Sequence, residues 1–390
     1  MESDKLMKIE DVASQIGISN DEIEPYGYYM AKINFMKINT KKVQGKLVLV
    51  TAMTPTKYGE GKTTTVIGIS QALHSMGQKV SISIREPSMG PCFGVKGGAT
   101  GGGKATVEPS DRINLLFTGD FPAITAAHNL LSALINNHIF HGNQLKINPE
   151  KIVFPRTISA VVIVATIRAM KLHGGNDKSD VEDVDAVKKG FNNLMFHVEN
   201  IRKFGFEPVV ALNRFPDDTE NEIDQVETLL KKNSIAYGLS EVFEKGAEGG
   251  KEVADLLLKR MPENPISVKY TYSMDQTLTE KIENIGKKIY GAKEVIYTRT
   301  AQSNIKKIEK LGYGKLPICM AKTQYSISDD PLKLNAPEDF SITVTSVALS
   351  SGAEFVVVYL GSVMTMPGLP KEPASNGIDI NENGIITGLF

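Results

Sequence analysis

Residues 47–65 read LVLVTAMTPTKYGEGKTTT, an apolar run that ends in a glycine turn followed by a lysine and three threonines. The apolar part has the length of a buried strand, and the residues from Lys62 onward have the composition of a helix start. A strand, a glycine turn and a helix N-terminus together direct backbone N–H groups at closely spaced phosphates. The stretch therefore predicts a nucleoside triphosphate site, with Lys62 along the β- and γ-phosphates and the Thr63 hydroxyl on Mg²⁺.

The turn departs from the generic phosphate-loop pattern at one position, because Thr56 stands where that pattern has glycine. An ordinary strand-to-helix turn that contains glycine is the alternative interpretation. The strand before the turn and the helix after it favour the nucleotide site, since the motif requires both. The residues expected to contact the nucleotide are Thr56, Gly59, Glu60, Gly61, Lys62, Thr63 and Thr64.

The composition favours small-molecule partners. The chain has 390 residues, a formal net charge of -1 and a pI near 6.6, which provide no basic surface for nucleic acid. Its two cysteines, Cys92 and Cys319, have neither metal-ligand nor redox spacing, which suits a reducing compartment. The N-terminal residues lack the apolar core of a signal peptide, and no apolar run approaches the roughly 20 residues that span a bilayer. We therefore expect a cytoplasmic protein with no nucleic-acid or membrane partner.

Apolar runs alternate with helical patterns along the chain, as in an α/β fold. The run from Ala160 to Ala165 is apolar at both parities, so we expect it in the middle of a sheet. Lys79 to Ile84, after the first helix, predicts a second strand reached by a parallel crossover. Further strands are expected over 113–117, 208–212, 341–345 and 355–359, helices over 62–75, 123–136, 181–204, 278–290 and 301–311, and a helical apron over 5–40. The expected fold is a P-loop NTPase-like, mostly parallel sheet flanked by helices, with a smaller α+β domain at the C-terminus.

A second glycine-rich loop follows residue 84 and reads REPSMGPCFGVKGGATGGGK over residues 85–104. Glycine is unfavourable in helix and strand interiors, so such a cluster is typical of a backbone that approaches a ligand. A flexible linker is the alternative. Three cations, Arg85, Lys96 and Lys104, lie beside the glycines and, with Lys62, could surround an anionic transition state.

The whole chain resembles the formate–tetrahydrofolate ligase family, also called 10-formyltetrahydrofolate synthetase. The likeness is carried by the motifs TPTKYGEGKTTT (54–65), REPSMGPCFGVKGGATGGG (85–103), VATIRAMKLHGG (164–175), NRF (213–215) with SEVFEKGAEGG (240–250), and LPICMAKTQYSISDDP (316–331) with MTMPGLPK (364–371). His173 lies within the third motif, and the sequence gives it no role.

The resemblance implies a ligase that uses ATP to phosphorylate formate and passes the formyl group from formyl phosphate to N10 of tetrahydrofolate, releasing ADP and phosphate. By position in the motifs, Lys62 holds the transferring phosphate and Arg85 holds formate or formyl phosphate. Gly97 and Gly98 belong to the loop that binds the remaining oxygens, and Glu86 orients the cations. A monovalent cation and a homo-oligomeric state are implied only by the family.

Two phenylalanines match positions at which the family stacks the pterin ring of tetrahydrofolate. They are Phe215 and Phe243, and the family usually has tryptophan at the second. Aromatic stacking contributes about 0.5 to 1.5 kcal/mol per pair beyond burial, so we expect weaker pterin binding than with tryptophan. Packing in a hydrophobic core is the alternative for both residues.

A long block that the family carries is absent between Asn148 and Ser159. Either the flanking strands close up and pair, or a partner subunit covers the apolar strand at 160–165. The expected domains are a shortened nucleotide-binding domain (1–157), a continuation of the α/β core with the folate-binding region (158–264) and the C-terminal α+β domain (265–390), with a boundary near Pro262 to Pro265.

Three hypotheses about function follow. The first is an active formate–tetrahydrofolate ligase with a shortened nucleotide domain. The second is a catalytically degenerate paralogue that binds nucleotide or folate without turnover, which the absent block motivates. The third is a different P-loop ligase or ATPase acting on another carboxylate, which explains the nucleotide motif but not the long second and third motifs.

Overall fold

The computed structural model describes residues 6–34, 37, 45–53, 59–84, 100–110, 113–114, 157–178, 180–262, 266–321, 325–350, 354–361, 379–380 and 386–387. The predicted helix over 123–136, the centre of the predicted domain boundary and the predicted site residues Thr56, Arg85, Glu86, Gly97 and Gly98 lie outside these ranges. No helix within the ranges is both long enough and apolar enough to cross a bilayer.

The elements of the described residues are numbered in chain order. The α-helices are α1 (Ile9–Gln15), α2 (Lys62–Ser75), α3 (Ile167–His173), α4 (Val184–Lys203), α5 (Glu220–Lys232), α6 (Val242–Lys245), α7 (Lys251–Arg260), α8 (Leu278–Lys288) and α9 (Arg299–Lys310). The strands are β1 (Ile23–Pro25), β2 (Ala31–Ile33), β3 (Val48–Ala52), β4 (Gly101–Gly102), β5 (Ala105–Thr106), β6 (Thr157–Ile158), β7 (Ala160–Ala165), β8 (Val209–Asn213), β9 (Ala236–Ser240), β10 (Ile266–Ser267), β11 (Glu294–Tyr297), β12 (Ile318–Ala321), β13 (Ser341–Ser350), β14 (Phe355–Leu360), β15 (Asp379–Ile380) and β16 (Ile386–Thr387).

The first sheet is parallel and has the strand order β3-β7-β8-β9. Strand β7 lies between β3 and β8, and Val162, Ile163 and Val164 are fully buried. The predicted central position of this apolar run is therefore confirmed. Strand β3 pairs directly with β7, so β7 does not lie at an edge of the sheet, in agreement with the first of the two expected arrangements.

Helices cover both faces of the first sheet, because alternate residues of each strand point to opposite sides. Ile163 and Leu212 pack with α3, α4 and α5 on one face. Val162 and Ala211 pack with α2 and α7 on the other face. Only the ends of these strands are therefore open to ligands.

Three sequence predictions about local structure need correction. Lys79 to Ile84 forms no strand, and these residues pair with no described strand. The predicted parallel crossover into this segment is therefore wrong. Ile113 and Asn114 are helical where a strand was expected. The expected helical apron contains α1, but it also contains the antiparallel hairpin β1–β2.

The second sheet is mixed and has the order β11-β13-β14-β12. Strand β13 is parallel to β11 and antiparallel to β14, and β14 is parallel to β12. Its core contains Phe340, Ile342 and Val356, which pack with residues of α8 and α9. The C-terminal part therefore contains a mixed sheet that packs against helices.

A polar contact joins the segment before β13 to the first sheet. The Ser326 hydroxyl donates to the Met53 carbonyl at 3.2 Å, directly after β3. The amide group of Asn193 donates to the Asn335 carbonyl at 2.7 Å, and the Asn335 N–H donates to Nδ1 of His173 at 2.9 Å. The second part of the chain is thus attached to α3, α4 and the end of β3.

Candidate functional site

The carboxyl ends of the four parallel strands meet at one edge of the first sheet, where α/β folds bind ligands. A cleft of about 540 Å³ lies at this edge. Residues from the N-terminus of α2, from the segment after β8 and from α6 line it. They are Gly61, Thr64, Asn213, Arg214, Phe215, Pro216, Glu241, Phe243, Glu244 and Lys245.

The turn before α2 enters the cleft at Gly61, the N-cap of the helix. Gly61 has a left-handed conformation (φ 71°), and a Cβ added there would lie 2.7 Å from the side-chain nitrogen of Asn213. Glycine is therefore required both by the backbone and by the close approach to β8. Lys62 and Thr63 occupy the first positions of α2, where the N–H groups of the first turn and the helix dipole favour an anion.

Two residues that follow β7 form hydrogen bonds to the turn before α2. Thr166 accepts a hydrogen bond from the Ala169 N–H at 3.2 Å as the N-cap of α3, and its hydroxyl donates to the buried carboxylate of Glu60. The Arg168 guanidinium donates to the Gly59 carbonyl, and its central carbon lies 3.6 Å from the centroid of the Phe215 ring. Thr166 and Arg168 thus attach the turn before α2 to the start of α3.

Phe215 follows β8 and is held by its own loop. Its N–H donates to the Asp218 carboxylate at 2.8 Å. Burial raises the pKa of Asp218 to about 6, although the hydrogen bond from Phe215 acts in the opposite direction. The neighbouring Arg214 pairs with Glu220 at 2.5 Å and with Glu241 at 3.5 Å.

Phe243 lies across the same cleft on α6 and is 56% exposed. Its carbonyl accepts a hydrogen bond from the Lys104 N–H at 2.8 Å. Gly103 has a φ of 61°, and a Cβ there would lie 2.0 Å from the Phe243 carbonyl oxygen. The end of the second glycine-rich loop is therefore packed against this aromatic residue.

The structure brings together several predicted residues from distant parts of the sequence. Of these, Gly61, Thr64, Phe215 and Phe243 line the cleft. Gly59, Glu60, Lys62 and Thr63 belong to the same turn and helix start but do not line it, and the Glu60 side chain is buried against Thr166. Phe215 is half-buried and Phe243 is exposed, and neither belongs to a hydrophobic core cluster of the described residues, which disfavours the core-packing alternative.

Six residues that line the cleft were not predicted as site residues: Asn213, Arg214, Pro216, Glu241, Glu244 and Lys245. Thr166 and Arg168, which contact the turn before α2, were also not predicted. Both lie within the motif 164–175, directly after a buried strand, and polar residues at that position were the available signal.

Within the described ranges, no group of three or more His, Cys, Asp or Glu side chains is arranged to hold a metal ion. The Thr63 hydroxyl at the start of α2 is the donor that the sequence predicted for Mg²⁺.

The formate–tetrahydrofolate ligase family model matches this chain over residues 1–160 and 156–390. The chain belongs to the formate–tetrahydrofolate ligase family. Membership of this family makes it an ATP-dependent ligase of one-carbon metabolism, as the five sets of motifs implied. The hypothesis of a different P-loop ligase is therefore wrong.

Three similar proteins carry the same family name. The formate–tetrahydrofolate ligase of Thermoplasma volcanium is 42% identical over 539 aligned positions, covering 98% of this chain and 99% of that protein. The enzyme of Thermoplasma acidophilum is 40% identical over 537 positions, with 98% and 99% coverage. That of Picrophilus torridus is 36% identical over 539 positions, with 98% and 100% coverage.

The alignments also measure the absent block. The alignment with the Thermoplasma volcanium protein extends over 539 positions but contains only 98% of the 390 residues of this chain, so about 160 positions have no counterpart here. The family match divides at residues 156–160, directly before and at the start of β7. The break therefore falls where the sequence motifs placed it.

Proposed function

We propose that the cleft is the active site in which this chain ligates formate to tetrahydrofolate with ATP. The observation that supports the proposal is that the N-terminus of α2 and two aromatic side chains, Phe215 and Phe243, line one cleft. The helix N-terminus is suited to phosphates, and the two aromatic rings are suited to a flat pterin ring. A ligase that joins the two reactions needs both in one place.

The reaction has two steps. A formate oxygen attacks the γ-phosphorus of ATP, the bond from that phosphorus to the bridging oxygen breaks, and ADP leaves. The lone pair of N10 then attacks the carbon of formyl phosphate, the carbon–oxygen bond to phosphate breaks, and N10 loses its proton. Phosphoryl transfer depends mainly on positioning and charge neutralisation, which the cations and N–H groups of a phosphate-binding turn provide.

We assign roles by position in the fold and in the motifs. Lys62 neutralises the transferring phosphoryl group, and the Thr63 hydroxyl fits Mg²⁺, which takes few protein ligands when phosphates supply the others. When bound, Mg²⁺ neutralises charge on the β- and γ-phosphates. Arg85 binds formate and formyl phosphate, Glu86 orients the cations, and the loop with Gly97 and Gly98 binds phosphate oxygens.

Phe215 and Phe243 would stack on opposite faces of the pterin. Each aromatic pair contributes about 0.5 to 1.5 kcal/mol beyond the burial of area. Phe243 is the more exposed ring, so bound pterin would cover apolar surface that water reaches in the free protein.

We further propose, from the family resemblance, a monovalent cation requirement, a homo-oligomeric assembly and a cytoplasmic location. The division of the chain near residues 262–265 into an α/β core and a C-terminal α+β domain is part of the same proposal. The two separate hydrophobic cores of the sheets support that division.

The test is formation of 10-formyltetrahydrofolate from ATP, formate and tetrahydrofolate. The purified chain is assayed beside the Thermoplasma volcanium enzyme, and product with equal release of ADP and phosphate is expected. Nucleotide binding measured by calorimetry without any product would instead support the degenerate paralogue that lacks turnover.

A further inference from the structure

Arg168 contacts both halves of the proposed active site without lining the cleft. Its guanidinium donates to the carbonyl of Gly59, in the turn before α2. The same group lies over the ring of Phe215, 3.6 Å from its centroid. One side chain therefore joins the phosphate side of the site to the aromatic platform of the pterin side.

Arginine is suited to this double contact by its shape. The N–H bonds of a guanidinium lie in its plane, and its flat face stacks on an aromatic ring. Donation to a carbonyl and stacking on a ring can thus occur at the same time. A lysine ammonium retains the charge but has no face to stack.

The backbone around Arg168 is fixed on both sides. Ile167, Ala169 and Met170 are fully buried against the first sheet, and Thr166 caps the helix. Because the base of the side chain is rigid, movement of Gly59 changes the position of the guanidinium relative to Phe215. The loop of Phe215 is itself tied by the hydrogen bond to Asp218.

We propose that Arg168 is a positioning residue that couples nucleotide binding to tetrahydrofolate binding. With phosphates in the turn, Gly59 is held still, and the guanidinium then fixes the Phe215 ring in the orientation that stacks on the pterin. Nucleotide therefore tightens tetrahydrofolate binding, and tetrahydrofolate tightens nucleotide binding by the same factor. This inference rests on the proposed function, because it takes the turn and Phe215 as the two substrate sites.

The experiment measures the dissociation constant of tetrahydrofolate by calorimetry with and without a non-hydrolysable ATP analogue and Mg²⁺. In the wild type the analogue should tighten binding at least about fivefold, the lower end of common coupling factors. Arg168→Gln and Arg168→Lys should bring this ratio close to one. Arg202→Lys is the matched control, since Arg202 pairs with Glu199 and Glu207 near the end of α4, and it should retain the wild-type ratio.

In the calorimetry, two outcomes overturn the inference: a wild-type ratio of one, or Arg168 variants that keep the wild-type ratio. Circular dichroism establishes that each variant is folded, and Arg168→Lys preserves charge and length if Arg168→Gln does not fold. Hydrogen exchange on the wild type adds a measurement that needs no variant. The nucleotide analogue alone should slow exchange at residues 215–218, and unchanged exchange there contradicts the proposal.

Phe215→Leu separates this inference from the proposed function. If the variant weakens tetrahydrofolate binding about tenfold while Arg168 variants keep the ratio, only the coupling role fails. If Phe215→Leu leaves tetrahydrofolate binding unchanged, the pterin platform and the coupling role both fail.

Discussion

The two sheets of the molecule bury their strands in different ways. In the first sheet every residue of β8 is buried, because helices cover both faces. In the second sheet β14 alternates, with Val356 and Val358 buried and their neighbours partly exposed. The second sheet also mixes parallel and antiparallel pairs, so its strand ends do not all point to one edge.

The difference explains where the chemistry lies. A sheet closed on both faces leaves only its strand ends open, and parallel strands bring all their carboxyl ends together. The turn before α2, Thr166, Asn213 and Ser240 therefore meet at one edge although they are far apart in sequence. The second sheet provides a core and a surface that attaches to the first.

The largest effect is expected from removing the cation at the edge of the first sheet. Lys62→Ala should lower kcat/KM by about 10³-fold, or about 4 kcal/mol, since it removes a charge that acts on the transferring phosphoryl group. Steady-state product formation measures it. Lys259→Ala, at an exposed ion pair on α7, should leave activity unchanged, and a loss below tenfold for Lys62→Ala would contradict the assigned role.

The second sheet should respond in stability and not in substrate affinity. Ile342→Ala removes a fully buried side chain of β13 and should lower the free energy of unfolding by about 3 kcal/mol. Urea denaturation measures this, and KM values of the folded protein should stay unchanged. Ile296→Ala on β11 is the control, because Ile296 is 44% exposed and its loss should cost at most about 0.5 kcal/mol. A changed KM for Ile342→Ala would assign the second sheet a part in binding.

The contact between the two parts of the chain should be sensitive to acid. Burial lowers the pKa of His173 to about 4, below its usual 6.5, so the unfolded state binds the proton first. Stability is therefore lost as the pH falls from about 6.5 towards 4, by roughly 2 to 3 kcal/mol. His173→Asn keeps an acceptor for the Asn335 N–H and should abolish this part of the pH dependence in urea titrations at pH 5 and pH 7. If the free energy of unfolding changes between pH 5 and pH 7 by the same amount in the variant and in the wild type, the imidazole does not titrate as described.

Asp218 beside the cleft should act with the opposite sign. Its pKa is raised to about 6, so the folded state holds the proton more tightly than the unfolded state does. Stability is lost as the pH rises from about 4 to about 6, by roughly 2 kcal/mol. Asp218→Asn retains an acceptor for the Phe215 N–H and should make the protein more stable, relative to wild type, at pH 7 than at pH 4. If the free energies of unfolding of the variant and the wild type differ by the same amount at pH 4 and at pH 7, this prediction is contradicted.

The smallest effect concerns the exposed ring of the cleft. Phe243→Trp enlarges the stacking surface and should improve tetrahydrofolate binding by about 0.5 to 1 kcal/mol, or two- to fivefold in KM. Phe243→Leu should change KM in the opposite direction. Equal KM values for both variants would remove Phe243 from the pterin site.

The sequence was most informative where local pattern and packing agree. The bounds of α2 and β7 match the predicted ranges, because a glycine turn before Lys62 and a continuous apolar run specify them locally. The segment 79–84 was predicted as a strand and is not one, since a strand also needs a pairing partner, and no described strand pairs with this segment.

The part of the site that escaped prediction consists of tertiary contacts. Thr166 and Arg168 are separated from Glu60 and Gly59 by more than a hundred residues, and nothing in the spacing of the sequence joins them. Phe215 and Phe243 were identified from their motifs. They share a cleft because Phe215 follows β8 and Phe243 follows β9, and the carboxyl ends of these two parallel neighbours lie side by side.

The place at which the chain is shortened has a consequence for engineering. The segment before β7 lies at the amino edge of the sheet, where the Ser159 N–H donates to the Leu47 carbonyl at 2.7 Å and β6 pairs with β10. This splice point faces away from the carboxyl edge and its cleft. We therefore expect that domains or linkers of varied length inserted at this position leave the geometry of the cleft at the carboxyl edge unchanged.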